Sequence, residues 1–526
     1  MSSQRTILRG GTVFDGSGGS PRQADVAIRD GVIETVGLVE AQVGDATVDA
    51  NGRYLLPGFI DAHSHADAAV FSPDVQLGLL RQGVTTIIVG QDGVSYAPGN
   101  GDYATEYFGA LIGRHPGYCG GGVGELLAQY DATTPINVGY LIPAGTVRHE
   151  VKGYAPGPSS DAEIAVMRNL VAIGLAEGAL GLSTGLDYVP NIYADAAELI
   201  ALCRPVAEVG GIYVTHMRGY GINAPIGIAE VSEIALATGV SVHVSHYIGP
   251  SDLLIELAED VASRGINLTF DAYPYRRGCT LLAMATLPPT LLSDVNSEVV
   301  AHLVDPDVRA DLLANWFPLL TADPDMGPEW PDDMTLAHIA AKEFDWAHGL
   351  TVREAADRMG TDSETFTLDV LAASDLEVSA VMKRRHQPPY DELAKLFTHR
   401  GHVAGSDGIY IGKNTHPRAW GTFAKYLRLF TRERGDYNWS EMAVHLSGRT
   451  AERFGLGNRG RLSPGYAADI VIIDPTTVAD QADYDSPRRV AVGIDDVFVG
   501  GQQVLAHGSL TGVLSGRSLR RSAPVH

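Results

Sequence analysis

Short apolar runs alternate with amphipathic stretches through the middle of the chain. The helical stretches include residues 161–177, 195–209, 227–238 and 253–264. The apolar, strand-like runs cover residues 58–65, 84–90, 136–142, 179–184, 212–216, 240–245, 266–273 and 402–407. Alternation of this kind predicts βαβ units and a parallel sheet.

Eight such units predict an α/β fold in which the sheet closes into a (β/α)8 TIM barrel, with a doubly wound open sheet as the alternative. The alternation of strand-like and helical patterns is interrupted by a long acidic region that is rich in Pro and Trp. We interpret residues 287–350 as an insertion, either a lid on the ligand face or an elaborated outer helix layer.

Both ends of the chain carry short alternating runs with turn signals. They cover residues 6–9, 11–15, 24–29, 31–36, 47–50, 53–56, 468–474, 490–493 and 497–504. Because the ends of a domain often lie close together, we predict one small β-sandwich built from both termini. The predicted parts are 1–56 for its N-terminal portion, 57–455 for the barrel, and 456–526 for its C-terminal portion.

Length and composition exclude several classes of protein. The 526 residues, 45% of them hydrophobic, suffice for a large barrel and a smaller domain. A formal net charge of -24 argues against a nucleic-acid partner. We expect no membrane span or signal peptide, because no apolar run has the necessary length. Three cysteines cannot form a disulfide framework, so we expect a cytoplasmic protein, of undetermined oligomeric state.

Two histidines stand two residues apart where the first barrel strand ends. Side chains at i and i+2 of a strand point the same way, so His63 and His65 form a ready pair of metal ligands. On an arbitrary strand, two partly exposed histidines are the commoner outcome. The metal interpretation therefore depends on the residues at the other strand ends.

Four further candidates follow other barrel strands. Asp92 follows the second strand, His216 the fifth, His246 the sixth and Asp407 the eighth. In a barrel the carboxyl ends of the strands form the active site. Both aspartates precede Gly, so a turn-forming role is their alternative. We exclude His243, which lies three residues before His246 and on the opposite face of the strand.

Four histidines and two carboxylates at one mouth suit one or two divalent metals, because the two acids would repel each other without a cation. A metal makes water nucleophilic near neutral pH, and a neighbouring carboxylate can pass on its proton. The set predicts hydrolysis of an amide-like bond in a small molecule.

The motif Pro-Gly-Phe-Ile-Asp-Ala-His-Ser-His at 57–65 resembles the opening of the amidohydrolase superfamily. A more specific similarity, to N-acyl-D-amino-acid deacylases (D-aminoacylases), extends over nearly the whole chain. It is carried by residues 181–188, 215–218, 271–275, 406–408, 416–423, 465–469 and 511–517.

The resemblance implies a metal-dependent barrel with a small β-sandwich that cleaves the linear amide of an N-acyl-D-amino acid. The products are a carboxylate and a D-amino acid, and the expected metal is Zn²⁺. It also implies that Asp407 is the general acid/base. The tighter metal site would consist of His216, His246 and Asp92, and the second of His63, His65 and Asp407.

Three positions depart from the family pattern. Asp92 stands where D-aminoacylases usually carry Cys, and a harder carboxylate ligand favours Mn, Co or Ni more than a thiolate does. Gly219 and Tyr220 replace the usual Asn-Glu pair. Ile248 replaces a lysine, which predicts a bulkier, more apolar or differently charged amide.

Basic and phenolic side chains near strand ends are candidates for binding substrate. A guanidinium suits a carboxylate, and a phenol can donate to a carbonyl oxygen as its charge develops. A salt bridge between loops, or packing at the rim, is the alternative for each. The candidates selected are Arg218, Arg418, Tyr188, Tyr220 and Tyr275; Arg276, Arg277, Lys413 and Tyr273 are further possibilities.

The sequence leaves two alternative functions. A cyclic-amide hydrolase of the hydantoinase or dihydropyrimidinase kind commonly uses a carboxylated lysine, which is absent at the end of the fourth strand, residues 181–183. A non-catalytic amidohydrolase-like interaction protein is disfavoured by the intact set of ligands.

Overall fold

A computed structural model of the protein describes residues 4–293, 295–324, 326–384 and 387–521. The strands are β1 (Thr6–Val13), β2 (Arg22–Arg29), β3 (Val32–Gly37), β4 (Ala46–Asp49), β5 (Tyr54–Pro57), β6 (Phe59–Asp61), β7 (Val84–Val89), β8 (Asn137–Pro143), β9 (Gly181–Gly185), β10 (Ile212–His216), β11 (Ser241–Val244), β12 (Leu268–Ala272), β13 (Arg277–Leu281), β14 (Met334–Ile339), β15 (Val378–Lys383), β16 (His402–Ala404), β17 (Ile470–Ile473), β18 (Ile494–Val499), β19 (Gln502–Ala506), β20 (Ser509–Leu510) and β21 (Ser518–Leu519).

The helices lie mainly between the strands of the barrel. They are α1 (Pro73–Arg81), α2 (Asp102–Ile112), α3 (Val123–Tyr130), α4 (Ala144–Lys152), α5 (Asp161–Ala176), α6 (Ala196–Glu208), α7 (Ala224–Thr238), α8 (Ser251–Ser263), α9 (Leu282–Thr286), α10 (Asn296–Val304), α11 (Pro306–Asp311), α12 (Phe317–Ala322), α13 (Trp330–Asp333), α14 (Val352–Met359), α15 (Ser363–Ala373), α16 (Tyr390–Phe397), α17 (Arg418–Lys425), α18 (Trp439–Ala443) and α19 (Arg449–Arg453). None of the described helices combines the length and the apolar character that crossing a membrane requires.

Parallel strands form the predicted barrel in the order β6-β7-β8-β9-β10-β11-β12-β16. Hydrogen bonds beyond the ends of the first and last strands close it. The Ala62 amide donates to the Ala404 carbonyl over 3.0 Å, and the Asp407 amide donates to the His63 carbonyl over 2.8 Å. The fold is therefore the closed barrel and not the open sheet, and each of the eight predicted barrel strands is present.

Apolar side chains from successive strands fill the barrel interior. They are buried because parallel strands are covered on both faces, which also explains their nearly continuous apolar sequences. The cluster includes Ile60, Ile88, Leu141, Leu180, Ile212, Val214 and Val403. This packing leaves the carboxyl ends of the strands as the side on which polar groups can gather.

Strands from the two ends of the chain join in one sheet, in the order β20-β19-β18-β17-β5-β1-β2-β3, with β4 paired to β1, whereas β21 pairs with barrel strand β8. The antiparallel pairing of β17 with β5 brings the two termini together, as the predicted small β domain requires. Two details of the prediction were wrong. Residues 6–13 are one strand with a register shift between Leu8 and Gly11, not two strands. Residues 490–493 are not a strand, since Gly493 turns the chain at φ +83° immediately before β18.

A separate three-stranded antiparallel sheet, in the order β13-β15-β14, lies between the last two barrel strands in the sequence. Together with α9–α15 it encloses a core of its own that includes Trp330, Leu336 and Phe366. Val189, from the segment after β9, is part of this core, so the unit packs at the carboxyl end of the barrel. The unit spans 277–383 and is wider than the predicted insertion at 287–350.

Candidate metal centre

The six predicted ligands converge where the barrel strands end. His63 and His65 follow β6, Asp92 follows β7, and Asp407 follows β16; His216 ends β10, and His246 lies two residues beyond β11. All except His216 are buried, and the His216 side chain is 12% exposed. Residues separated by up to 344 positions in the sequence therefore share one small volume.

One group of ligand atoms is formed by His63, His65 and Asp407, whose ligand atoms all lie within 4.8 Å of one another. His63 Nε2 lies 3.7 Å from Asp407 Oδ1. His65 Nε2 lies 3.3 Å from the same oxygen. The two imidazoles thus point in one direction, as expected for i and i+2, and meet the carboxylate of the last strand.

A second group joins His63, Asp92 and His246, again with ligand atoms within 4.8 Å. His246 Nε2 lies 3.8 Å from Asp92 Oδ1. His216 adjoins this group, because its Nδ1 lies 3.0 Å from His246 Nε2 and 3.9 Å from Asp92 Oδ2. Asp92 also lies 3.6 Å from His65 Nε2, so its carboxylate stands between the two groups.

Three of the ligands adopt a left-handed backbone conformation. The φ angles are +54° for Asp92, +33° for His246 and +50° for Asp407. Residues other than Gly rarely adopt positive φ, although Asp, Asn and His do so more often than most. Each of these residues turns the chain as it leaves its strand, and such backbone strain is typical of functional sites.

The charges of the site call for a cation. Burial opposes protonation of His63, but the charges of Asp271 and Asp92 outweigh it and raise the pKa of His63 to about 10. Burial also opposes protonation of His65, yet the neighbouring carboxylates of Asp407 and Asp92 raise its pKa to about 9. In the absence of a metal, the buried carboxylates thus draw protons onto the imidazoles, which a divalent cation would replace.

Two buried atoms that face the centre of the site support this conclusion. His63 Nε2 and Asp92 Oδ1, 3.7 Å apart, lack a hydrogen-bond partner within the described part of the chain. A buried polar atom without a partner is costly, and in a native structure it needs an explanation such as an ion. The nitrogen and oxygen donors present fit one or two divalent metals of the zinc type.

Three residues outside the predicted ligand set support it: Asp187 and Asp271 contact ligands directly, and His243 contacts Asp271. Asp187 Oδ2 lies 3.1 Å from His216 Nε2, and Asp271 Oδ2 lies 3.3 Å from His63 Nδ1. His243, which was excluded as a ligand, contacts Asp271 instead, over 2.9 Å. The sequence holds a signal for Asp271, since it lies near the carboxyl end of a barrel strand, as Asp92 and Asp407 do.

Three of the substrate-binding candidates lie beside the ligands. Arg418 Nη1 is 2.9 Å from Asp407 Oδ2, and its side chain is 1% exposed. The ring centroids of Tyr188 and Tyr220 lie 4.9 Å and 5.1 Å from that of His216. These side chains form part of the wall around the ligands.

The other candidates make their contacts away from the ligands. The Arg218 guanidinium donates to Glu230 over 2.7 Å and to two backbone carbonyls. The Tyr275 ring packs against Lys425, whose Nζ is 4.0 Å from the ring centroid, and against His416. The structure therefore does not bring Arg218 or Tyr275 to the ligand cluster. Arg276 and Arg277 lie over the rings of Tyr390 and Tyr484, and Lys413 pairs with Asp345.

Comparisons with known proteins agree with the predicted family. The D-aminoacylase of Alcaligenes xylosoxydans xylosoxydans is 30% identical, with 98% of each chain aligned. The N-acyl-D-glutamate deacylase of the same organism is 29% identical over 99% of this chain and 97% of the relative.

A solved structure extends the similarity to three dimensions. It is the N-acyl-D-glutamate deacylase of Bordetella bronchiseptica in complex with zinc and a phosphonate inhibitor that mimics the tetrahedral intermediate of the reaction. Its TM-score is 0.82 at 28% identity, and the match covers 98% of this chain and 99% of that one. The sequence profile of the amidohydrolase family matches residues 46–505. The chain belongs to the amidohydrolase family, among the relatives of the D-aminoacylases.

Proposed function

We propose that the protein hydrolyses the amide bond of N-acyl-D-amino acids and releases a carboxylate and a D-amino acid. The observation that carries the proposal is the cluster of four imidazoles and two carboxylates, all buried except His216, at the carboxyl end of the barrel strands. Two atoms that face its centre, His63 Nε2 and Asp92 Oδ1, have no hydrogen-bond partner among the described residues and are therefore free to bind metal. Similarity to D-aminoacylase over the whole chain supports the choice of substrate.

We assign the metal ligands as two adjacent sets. His216, His246 and Asp92 would hold one ion, and His63, His65 and Asp407 would hold the other. A divalent metal held by these residues supplies a Lewis acid for the amide carbonyl and makes water nucleophilic near neutral pH. The carboxylate of Asp92, in place of a thiolate, makes Mn, Co or Ni acceptable beside Zn.

Asp407 is the proposed general acid/base. Its carboxylate takes the proton from the attacking water as the water oxygen bonds to the amide carbon. When the C–N bond breaks, Asp407 returns that proton to the leaving nitrogen, which departs as the amine. The hydrogen bond that the Asp407 amide donates to the His63 carbonyl fixes the start of this segment against the first strand.

Arg418 is the proposed partner of the substrate carboxylate. Its guanidinium lies beside Asp407 and over the ring of Tyr273, 4.5 Å from the centroid. Tyr273 in turn accepts a hydrogen bond from Arg384 over 2.9 Å, so a buried cationic region adjoins the general base. Since a guanidinium recognises a carboxylate through two parallel hydrogen bonds, this region suits the α-carboxylate of an N-acyl amino acid.

The loops that follow β10 and β11 form another part of the mouth. The loop of Tyr220 contacts the loop of Ile248, where the Gly221 amide donates to the Ile248 carbonyl over 3.0 Å. The Tyr220 ring lies 5.1 Å from the rings of both His216 and His246. Tyr220 and Ile248 stand where the family carries charged residues, so we propose a neutral, apolar side chain in the substrate.

A substrate screen tests this function. Purified protein loaded with Zn²⁺ is assayed with N-acetyl-D- and N-acetyl-L-leucine, the corresponding glutamates, and a hydantoin. We expect hydrolysis of the D-leucine derivative with kcat/KM at least about 100-fold above that of its L enantiomer, a difference of roughly 2.7 kcal/mol in transition-state binding. Equal or faster hydrolysis of the L compound, or hydrolysis of the hydantoin alone, contradicts the proposal.

The role of Arg418 is tested with Arg418→Met, which keeps an unbranched apolar stem and removes the charge of the side chain. Because charged hydrogen bonds contribute about 1.5–3 kcal/mol, kcat/KM for N-acetyl-D-leucine should fall roughly 10- to 150-fold. For an N-acetyl amine that lacks the carboxylate, the substitution should lower kcat/KM much less. Lys413→Met, at an exposed lysine paired with Asp345, is the matched control. Equal losses on both substrates would show that Arg418 does not bind the carboxylate.

A further inference from the structure

Asp271, near the end of β12, is surrounded by donors from two other barrel strand ends. Its Oδ2 faces His63 Nδ1 at 3.3 Å and His243 Nε2 at 2.9 Å. Its Oδ1 accepts a hydrogen bond from the backbone amide of His246 over 2.9 Å. All three side chains of this arrangement, Asp271, His63 and His243, are completely buried.

We propose that Asp271 is a positioning residue that orients two metal ligands at once, the His63 imidazole and the His246 backbone, and that His243 holds Asp271 in place. This inference rests on the metal site of the proposed function. It goes beyond that function because Asp271 and His243 are outside the proposed set of ligands.

The contact with His63 selects which of its ring nitrogens binds the metal. An ionised carboxylate only accepts hydrogen bonds, so His63 Nδ1 carries the hydrogen. The lone pair is then on Nε2, the atom that faces Asp92 and Asp407 and lacks a hydrogen-bond partner in the described part of the chain. A carboxylate that fixes the tautomer and the ring orientation in this way strengthens metal binding.

The contact with His246 acts on the backbone. His246 adopts φ +33°, which is unfavourable for a residue with a Cβ atom and is retained only where neighbouring groups enforce it. The hydrogen bond from its amide to Asp271 is such a constraint. It aims His246 Nε2 toward Asp92, 3.8 Å away.

His243 and Gly405 leave Asp271 little freedom to turn. His243 Nδ1 lies 2.9 Å from the hydroxyl of Thr269, so the imidazole is held at both nitrogens. A Cβ atom at Gly405 would lie 2.8 Å from Asp271 Cβ, which shows how closely the backbone of the last strand approaches this side chain. The carboxylate is therefore enclosed on the side away from the metal ligands.

The deciding variant is Asp271→Asn. The three groups around the carboxylate are all donors, whereas an amide presents an oxygen on one side only and an NH₂ on the other. At least one of His63, His243 and the His246 amide must then face another donor. We expect the Kd for Zn²⁺, measured by competition with a chromophoric chelator, to rise about 10- to 100-fold.

Two further measurements separate positioning from general destabilisation. The visible spectrum of the Co²⁺-loaded protein should change in Asp271→Asn, and kcat should recover in part when metal is saturating. Glu198→Gln is the control, because Glu198 is an equally buried carboxylate that pairs with Arg148 away from the site. We expect it to lower the midpoint of thermal unfolding without changing the Kd or the spectrum.

If Asp271→Asn does not fold, two variants at His243 test whether Asp271 positions the metal ligands. His243→Gln keeps a donor toward Asp271 and should bind Zn²⁺ nearly as the unmodified protein does, whereas His243→Leu should bind it several-fold more weakly. A folded Asp271→Asn, or a folded His243→Leu, with unchanged Kd and Co²⁺ spectrum overturns the inference. An unmodified protein that binds no metal refutes the proposed function itself, which is a different result.

Discussion

Replacing Asp407 by asparagine is expected to lower kcat by about 10²- to 10⁴-fold, the usual contribution of a positioned general acid or base. The amide has nearly the shape of the carboxylate and keeps an oxygen that can bind metal, so most of the metal affinity should remain. It cannot accept the proton of water and return it to the leaving amine. The loss should therefore be in kcat more than in KM.

The Asp407→Asn measurement needs a metal content determined by elemental analysis on the same preparation. Asp252→Asn is the matched control, because Asp252 is 83% exposed and pairs with Lys395 on the surface. It should leave kcat and KM unchanged. Near-normal turnover of Asp407→Asn with its metal bound would show that another group moves the proton.

Removal of divalent metal is expected to reduce activity by about 10³-fold or more, since a metal ion contributes several kcal/mol to stabilisation of the transition state. Dialysis against a chelator followed by addition of Zn²⁺ should restore activity, and Mn²⁺, Co²⁺ or Ni²⁺ should restore it to differing extents because Asp92 is a hard ligand. The free energy of unfolding should also fall when the metal is removed and rise when it is restored. At a free concentration about 1,000-fold above Kd, a ligand that binds only the folded state adds about 4.1 kcal/mol.

Substitutions of the proposed metal ligands test whether the loss of activity and stability comes from this site. His65→Ala and His246→Ala should each weaken metal binding, because they remove one nitrogen from each of the two proposed sets. His507→Asn, at an exposed histidine in the turn between β19 and β20 whose φ of +50° is positive like that of His246, should leave metal content and activity unchanged. Full activity in chelated protein that contains no metal by elemental analysis would refute the metal-dependent mechanism.

Local sequence patterns were sufficient for the barrel strands. Strands such as β7 (Val84–Val89) are buried along their whole length, so their apolar runs are visible without any tertiary information. The same patterns were less reliable in the terminal sheet. There Gly493 ends a run that looked like a strand, and a register shift keeps residues 6–13 in one strand across two glycines.

The candidate ligands were found because each follows a strand, which sequence reveals. Their supporting residues were harder to identify. The side chain of His243 contacts Asp271, and this supporting role depends on the pairing of two strands that the sequence does not reveal. The motif around Arg218 predicted a substrate-binding group. In the structure, its guanidinium instead donates a hydrogen bond to Glu230 on the helix that follows.

The amino-acid sequence by itself determined the alternation of strand and helix, the family, and the kinds of side chain at the strand ends, because all three are written in local periodicity and motif spacing. Only the tertiary structure decided that β6 meets β16, that Asp92 stands between two groups of ligands, and that Asp271 joins His63 to His246. Those contacts link residues up to several hundred positions apart. They depend on the closure and register of the barrel, which are properties of the packed chain and not of any one segment.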